Sequence, residues 1–249
     1  MQVDLATDPG TPGWPNEDFA ACAPGAAVLL DGATQFARDT ASGCRHGVAW
    51  FARTLGTELL ARITADPPVP LRQALAQAIA CVRARHEDTC DLTGPAIPAA
   101  TVTAARLTPD HLEYLALCDS SIAADLTGAE PLIITDPRPV SPATIARTDP
   151  GVAADAPAGT LPRSGLRAVT LLSDGATRII DRYGLMTWPE ALELIRADGA
   201  AELIRQVREA EASDPDCTRW RRSKSSDDAT ILHWQIANGY PPRQRASSI

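Results

Sequence analysis

The chain has few aromatic residues, one lysine and no long apolar run. Only 4% of the 249 residues are Phe, Trp or Tyr, so a core has to be built mainly from Ala, Leu, Ile and Val. Hydrophobic residues make up 45% and charged residues 22%, an ordinary globular composition that excludes disorder of the whole chain. No stretch approaches the ~18 uninterrupted apolar residues of a membrane helix. The opening MQVDLATDPG lacks the basic and apolar segments of a secretory signal, and the expected compartment is the cytoplasm. The cysteines at 22, 44, 81, 90, 118 and 217 include no CxxC pair and no regular spacing, which predicts reduced, mostly buried thiols. Lys224 is the only lysine; with every other base an arginine and Ala abundant, the composition points to a GC-rich bacterial genome. Positive charge is scarce overall, and the formal net charge is −8. That balance excludes a general nucleic-acid binder, which needs a basic face to release counterions. An acidic membrane surface would repel the chain for the same reason.

What the sequence does have is clear periodicity. Prolines gather at 9–15, 67–70, 131–142 and 150–162 and mark turns and loops. Between them, 26–30 (AAVLL) is a short apolar run ending at Asp31-Gly32, the pattern of a buried strand entering a turn. Val48, Phe51, Ala52, Leu55, Leu59 and Ile63 recur at helical spacing, as do Leu71, Ala74, Leu75, Ala78, Ile79 and Val82. The period then changes to two: 99–107 and 111–118 read as strands joined by a Thr-Pro-Asp turn, with 120–125 and 132–135 continuing the meander. The stretch 136–165 has no clear period and is expected to be a functional or mobile loop. A strand at 167–172, helices at 187–197 and 199–212, and a strand at 229–234 complete the order. Strands in runs, rather than alternating with helices, predict an α+β fold of antiparallel sheets with helices packed outside. The expected organisation is one domain over 1–236 and a polar, frayed tail at 237–249.

The acidic residues fall at the ends of these strands. Asn16-Glu17-Asp18 precedes one strand and Asp31-Gly32 follows the next. Asp119-Ser120 follows 111–118, Ser173-Asp174-Gly175 follows 167–172, and Asp227-Asp228 opens the last strand. Each alone is a turn or helix cap. Together they allow several strands to bring carboxylates to one point, where they repel unless a cation lies among them. Hard divalent ions fill that role with carboxylate, carbonyl and water ligands. No His or Cys accompanies the acids, which favours Mg²⁺ or Mn²⁺ over zinc.

These motifs, in this order, resemble the PP2C-type (PPM) metal-dependent protein phosphatases, and the chain looks like a divergent bacterial, actinobacterial-looking member. The similarity spans roughly 10–236. It implies a sandwich of two antiparallel sheets flanked by helices, with a two-metal centre at one end. It further implies that Asp31 bridges two ions, that Glu17 and the Gly32 carbonyl complete one, and that Asp174 and Asp227 hold the other. Asp119 matches the position of a third, weaker ion, and Asp18 would orient water from outside the ligand set. Water activated between the ions then attacks phosphorus directly, with no phospho-enzyme.

The pattern departs from the family at three places: Gly13 stands where an Arg usually grips the phosphate, Ala33 where a His often follows Asp-Gly, and Cys118 where a Gly usually precedes Asp-Ser. Two features offer replacements. Gly43-Cys44-Arg45-His46 is expected to begin the first helix, placing an anion site there, with His46 as general acid and Arg45 or Arg38 holding phosphate. The basic run Arg219, Arg221, Arg222 and Lys224 lies beside Asp227, with Arg221 a further candidate for the phosphate. Three functions stay open: a phosphatase of phosphoserine or phosphothreonine in proteins, a phosphatase of a small phosphorylated metabolite, and a catalytically silent module that keeps the fold.

Overall fold

The AAVLL run is buried along its whole length because both of its faces are covered. In the computed structural model, which describes residues 2–33, 43–65, 67–94 and 96–236, this strand is β3 (Ala26–Leu30). Ala26, Val28 and Leu30 pack against helices α1 (Val48–Ile63) and α2 (Leu71–Ala84). Ala27 and Leu29 face a second sheet. A strand with period two and two apolar faces reads as an unbroken hydrophobic run.

The remaining elements are β1 (Gln2–Asp8), β2 (Phe19–Ala23), the short β4 (Gly32–Ala33) and β5 (Ala99–Ala100), β6 (Val102–Leu107), β7 (His111–Leu117), β8 (Ser121–Leu126) and β9 (Leu132–Ile134). After a 3-10 turn at Pro150–Asp155 come β10 (Ala158–Pro162), β11 (Leu166–Leu172), α3 (Asp174–Asp181), α4 (Trp188–Asp198), α5 (Ala200–Ala212) and β12 (Ala229–Gln235). One antiparallel sheet runs β1-β12-β11-β8-β9 and the other β10-β7-β6-β3-β2. Between them lies a core of Leu29, Ala105, Leu112, Ile122, Val169, Leu171, Leu232 and Trp234. Helices α3 to α5 cover the first sheet through Ile179, Leu203, Val207 and Ile231, completing a four-layer sandwich, as expected. Among the described residues, no helix is long and apolar enough to cross a membrane.

Two expectations need correction. The stretch 136–165 is not one loop. Val152, Ala153 and Ala156 join the α1–α2 core, and β10 pairs with β7 from Ala158↔Leu115 to Pro162↔His111. Pro162 is tolerated because β10 is a sheet edge, where its missing N–H leaves no neighbour unpaired. The second correction is that Gly43-Cys44-Arg45-His46 does not begin α1. The helix starts at Val48 with Gly47 as its N-cap, so the expected anion site on a first helical turn is not formed at 43–46. Asp91 N–H donates to the Gly43 carbonyl instead (3.1 Å), tying this segment to the turn after α2. The tail at 237–249 lies outside the described residues.

Candidate metal centre

Antiparallel pairing puts the start of one strand beside the end of its neighbour, and that rule gathers the acids. Phe19 pairs with Leu30, so Asp18 before β2 and Asp31 after β3 are the next residues on one edge. Leu172 pairs with Ile231, and Ser173 N–H donates to the Thr230 carbonyl (3.0 Å), which brings Asp174 at the head of α3 towards Asp227 before β12. The charges of Asp18, Asp174 and Asp227 all act on Asp31, and Asp227 and Asp119 act on Asp174. Two sheets and α3 thus deliver Asp18, Asp31, Asp119, Asp174 and Asp227 to one end of the sandwich. Glu17 joins them through its backbone, which packs on Gly32.

Two glycines permit this closeness. A Cβ on Gly32 would stand 2.5 Å from the Glu17 carbonyl oxygen and 2.6 Å from Val48 Cγ1. One on Gly175 would collide with the Asp228 carbonyl oxygen. Gly175→Ala is therefore expected to displace the Asp227-Asp228 segment and cost about 1–3 kcal/mol. Chemical denaturation checks the cost, and unchanged stability would show that the segment can move aside.

The cluster is electrostatically stressed. Burial pushes the Asp31 carboxyl well above the usual range, and Asp18, Asp174 and Asp227 push it further. Burial likewise raises Asp174, with Asp227 and Asp119 adding to it. Burial raises Asp18 to about 7, opposed by the hydroxyls of Thr230 and Ser173 and reinforced by Asp228 and Asp174. Both Asp18 carboxylate oxygens are buried, and the approach of those two hydroxyls falls short of a well-formed hydrogen bond to either oxygen. Buried carboxylates left unsatisfied are costly, and an all-oxygen donor set of this kind fits hard divalent cations.

Of the two bases that hold this end together, sequence reasoning placed Lys224 beside Asp227 but missed Arg178. Arg178 is buried on α3, bonds Asp227 Oδ2 at 2.6 Å and pairs with Glu211 of α5 at 3.2 Å. Its signal was a fourth-residue spacing from Asp174, readable only once α3 is recognised as a helix. Lys224 Nζ bonds Asp227 Oδ1 at 2.8 Å. Asp228 has a separate role: its two oxygens accept from Gly10 N–H (2.8 Å) and Glu17 N–H (2.6 Å), anchoring the segment that carries Glu17. Asp228→Ala leaves both donors without that acceptor and is expected to cost about 1–3 kcal/mol, measurable by urea unfolding.

The expected phosphate-side residues are scattered. Arg38 lies outside the described residues. Arg45 and Arg221 are exposed, and the Arg221 carbonyl accepts from Arg182 (3.0 Å). Arg222 is buried on Asp214 (2.5 Å), and Arg219 lies over the Trp220 ring. Of that basic run, only Lys224 bonds a member of the acid cluster. His46 lies among Cys44, Cys90, Trp50 and His86.

Cys118, in the place of a usual glycine, has φ +71, the left-handed region that favours glycine. It is fully buried beside Ala99 and Ile145, and burial pushes its thiol far up, with Asp119 adding to it. A buried neutral thiol is no nucleophile. Cys118→Gly should relieve strain while losing packing, a change within about 1 kcal/mol. Cys118→Val should cost about 2 kcal/mol or more, since a β-branched residue is worst there. Equal stabilities of the two variants would show the backbone there is unstrained.

Residues 11–212 match the sequence model of the family described as Protein phosphatase 2C. No curated protein matches the chain. Solved structures do: a bacterial serine phosphatase superposes at a TM-score of 0.68 and 15% identity, over 97% of this chain and 100% of that one. Stp1, a serine/threonine phosphatase from Staphylococcus aureus, gives 0.67 at 15% identity, with 96% of each chain covered. The catalytic domain of the serine/threonine phosphatase PstP, solved with two manganese ions, gives 0.63 at 17% identity, over 95% of this chain and 98% of that one. At such identities the likeness concerns the fold, and it is the four-layer sandwich described above.

Proposed function

The chain belongs to the protein phosphatase 2C family, and from that membership we propose that it hydrolyses phosphoserine or phosphothreonine in proteins with two hard divalent ions, Mg²⁺ or Mn²⁺. The observation that carries this reading is the convergence of separate strand ends on one acidic point, with both Asp18 oxygens buried and without a well-formed hydrogen bond. Asp31 would bridge the pair, with Glu17 and the Gly32 carbonyl on one ion and Asp174 and Asp227 on the other; Asp119 would serve a third, weaker one. When bound, the ions supply a nucleophilic water at neutral pH and offset charge on the phosphoryl oxygens.

The chain's own residues prepare that chemistry. Asp31 and Asp174 sit where rigid strands end, so their carboxylates are held in place before any ion arrives. Arg178 and Lys224 grip the two oxygens of Asp227 and fix its orientation. Asp18, whose buried oxygens make no well-formed hydrogen bond, is placed to accept one from water and orient it. Two divalent ions would also halve the formal charge of −8, easing the approach of an anionic substrate.

Lys224 is the base at this end best placed to meet a phosphate, because Asp227, Asp31 and Glu17 all act on its charge. Lys224→Met, assayed at saturating Mn²⁺, is expected to raise KM for a phosphopeptide about fivefold, an effect that fades with added salt. An unchanged KM at low salt would remove Lys224 from substrate binding. The absence of an arginine at Gly13 leaves a small phosphorylated metabolite as a second substrate class. Turnover of phosphothreonine peptides against a panel of sugar and nucleoside monophosphates separates the two. Faster hydrolysis of the peptides supports the proposal; metabolites alone being turned over rejects it.

A further inference from the structure

Away from the acids, four metal-ligating side chains meet on the α1–α2 helix pair. Cys44 and His46 lie just before α1, and His86 and Cys90 lie in the turn just after α2. Cys44 Sγ is 3.4 Å from His86 Nδ1 and 3.7 Å from His46 Nδ1. Cys90 Sγ is 3.5 Å from His46 Nδ1, and one ligand atom from each of the four lies within 4.8 Å of every other. Zinc bonds of about 2.3 Å to sulfur and about 2.0 Å to nitrogen, arranged tetrahedrally, require sulfur–nitrogen edges of about 3.5 Å. The observed separations match that edge.

We propose that Cys44, His46, His86 and Cys90 form a structural zinc site that clamps the start of α1 to the turn after α2. Two thiolates and two imidazoles favour zinc, whereas the hard ions suited to the acid cluster avoid sulfur. Four protein ligands leave no open position, which marks the site as structural. Two of the ligands are sheltered, Cys44 and His86 at 6% and 2% exposed, and His46 and Cys90 are half-buried. Trp50 on α1 stacks on His46 with ring centroids 4.1 Å apart and lies 5.3 Å from His86. The clamp has a structural consequence. Val48, two residues after His46, packs beside Gly32, so fixing the start of α1 also fixes the floor under Asp31. Zinc binding releases the two thiol protons, so affinity falls in acid. The proposal does not depend on the phosphatase reading.

The test is metal analysis of the full-length protein, purified without chelator under reducing conditions, followed by cobalt substitution. About one equivalent of zinc should remain after dialysis against Mg²⁺. Cobalt in its place should give the intense visible absorption of a tetrahedral site with a thiolate charge-transfer band. Zinc should be lost in Cys44→Ser and Cys90→Ser and retained in Asp31→Asn. A wild-type cobalt spectrum that is weak and lacks a thiolate band overturns the proposal, and it decides the matter even where the cysteine variants fail to fold. So does zinc that leaves with Asp31→Asn and stays in Cys44→Ser, or a Cys44–Cys90 disulfide in zinc-free protein.

Discussion

Asp31→Asn should give a folded protein that has lost phosphatase activity and is more stable than the wild type when no divalent ion is bound. Asp31 is buried, and the charges of Asp18, Asp174 and Asp227 all raise its carboxyl. Removing its ionisable oxygen takes away one member of a repelling group, so the ion-free protein gains stability. The same oxygen is the proposed bridge between ions, so turnover should fall about a thousandfold or more. Manganese-dependent release of phosphate from a phosphothreonine peptide, read beside thermal melting of Mn²⁺-free samples, checks both halves. A variant that loses activity and also loses stability would mean that Asp31 is chiefly a structural residue. One that keeps activity would remove it from the chemistry.

The second large effect is a dependence of stability on pH that metal reverses. Burial raises the folded-state pKa values of Asp18, Asp31 and Asp174, so the native protein holds more protons than the unfolded chain. Its stability is then greatest below the ordinary carboxylate range and falls as pH rises towards the folded value, which for Asp18 is about 7. The summed loss across that window is on the order of a few kcal/mol. Divalent ions bind the ionised carboxylates and displace those protons, so their stabilisation grows as pH rises. Melting temperatures of the dialysed protein at about pH 5.5 and about pH 8, with and without Mn²⁺, should show a larger metal-induced rise at the higher pH. An equal rise at both would mean that the ions do not bind at these carboxylates.

Much of this was readable in the sequence wherever one residue type reported on one local environment. The buried run of β3 and the apolar stripes of α1 and α2 are short-range patterns, and the structure reproduces them. The acids were also legible, because antiparallel pairing places strand ends together by rule and Asp-Gly and Asp-Ser mark those ends. What stayed hidden depends on contacts between distant segments. Arg178 faces Asp227 only because α3 is helical, and α3 is too short and polar to show a clear stripe. The Cys44, His46, His86 and Cys90 cluster is assembled by two helices folding back on each other, which leaves spacings of C-x-H and H-x₃-C with no pair that signals a metal. The edge strand β10 is short and ends in proline, so it carried no period. The left-handed backbone at Cys118 is invisible in the sequence, where only a missing glycine marks it.

The central claim is that the acid cluster is a binding site for two divalent ions. Calorimetric titration of Mn²⁺ into Mn²⁺-free wild-type protein and into Asp174→Asn tests it most directly. The wild type should saturate at about two ions per chain and release protons as it does so. Asp174→Asn, still folded, should lose at least one of those ions. A folded wild-type protein that takes up no Mn²⁺ would contradict the claim and leave a phosphatase fold without its metal chemistry.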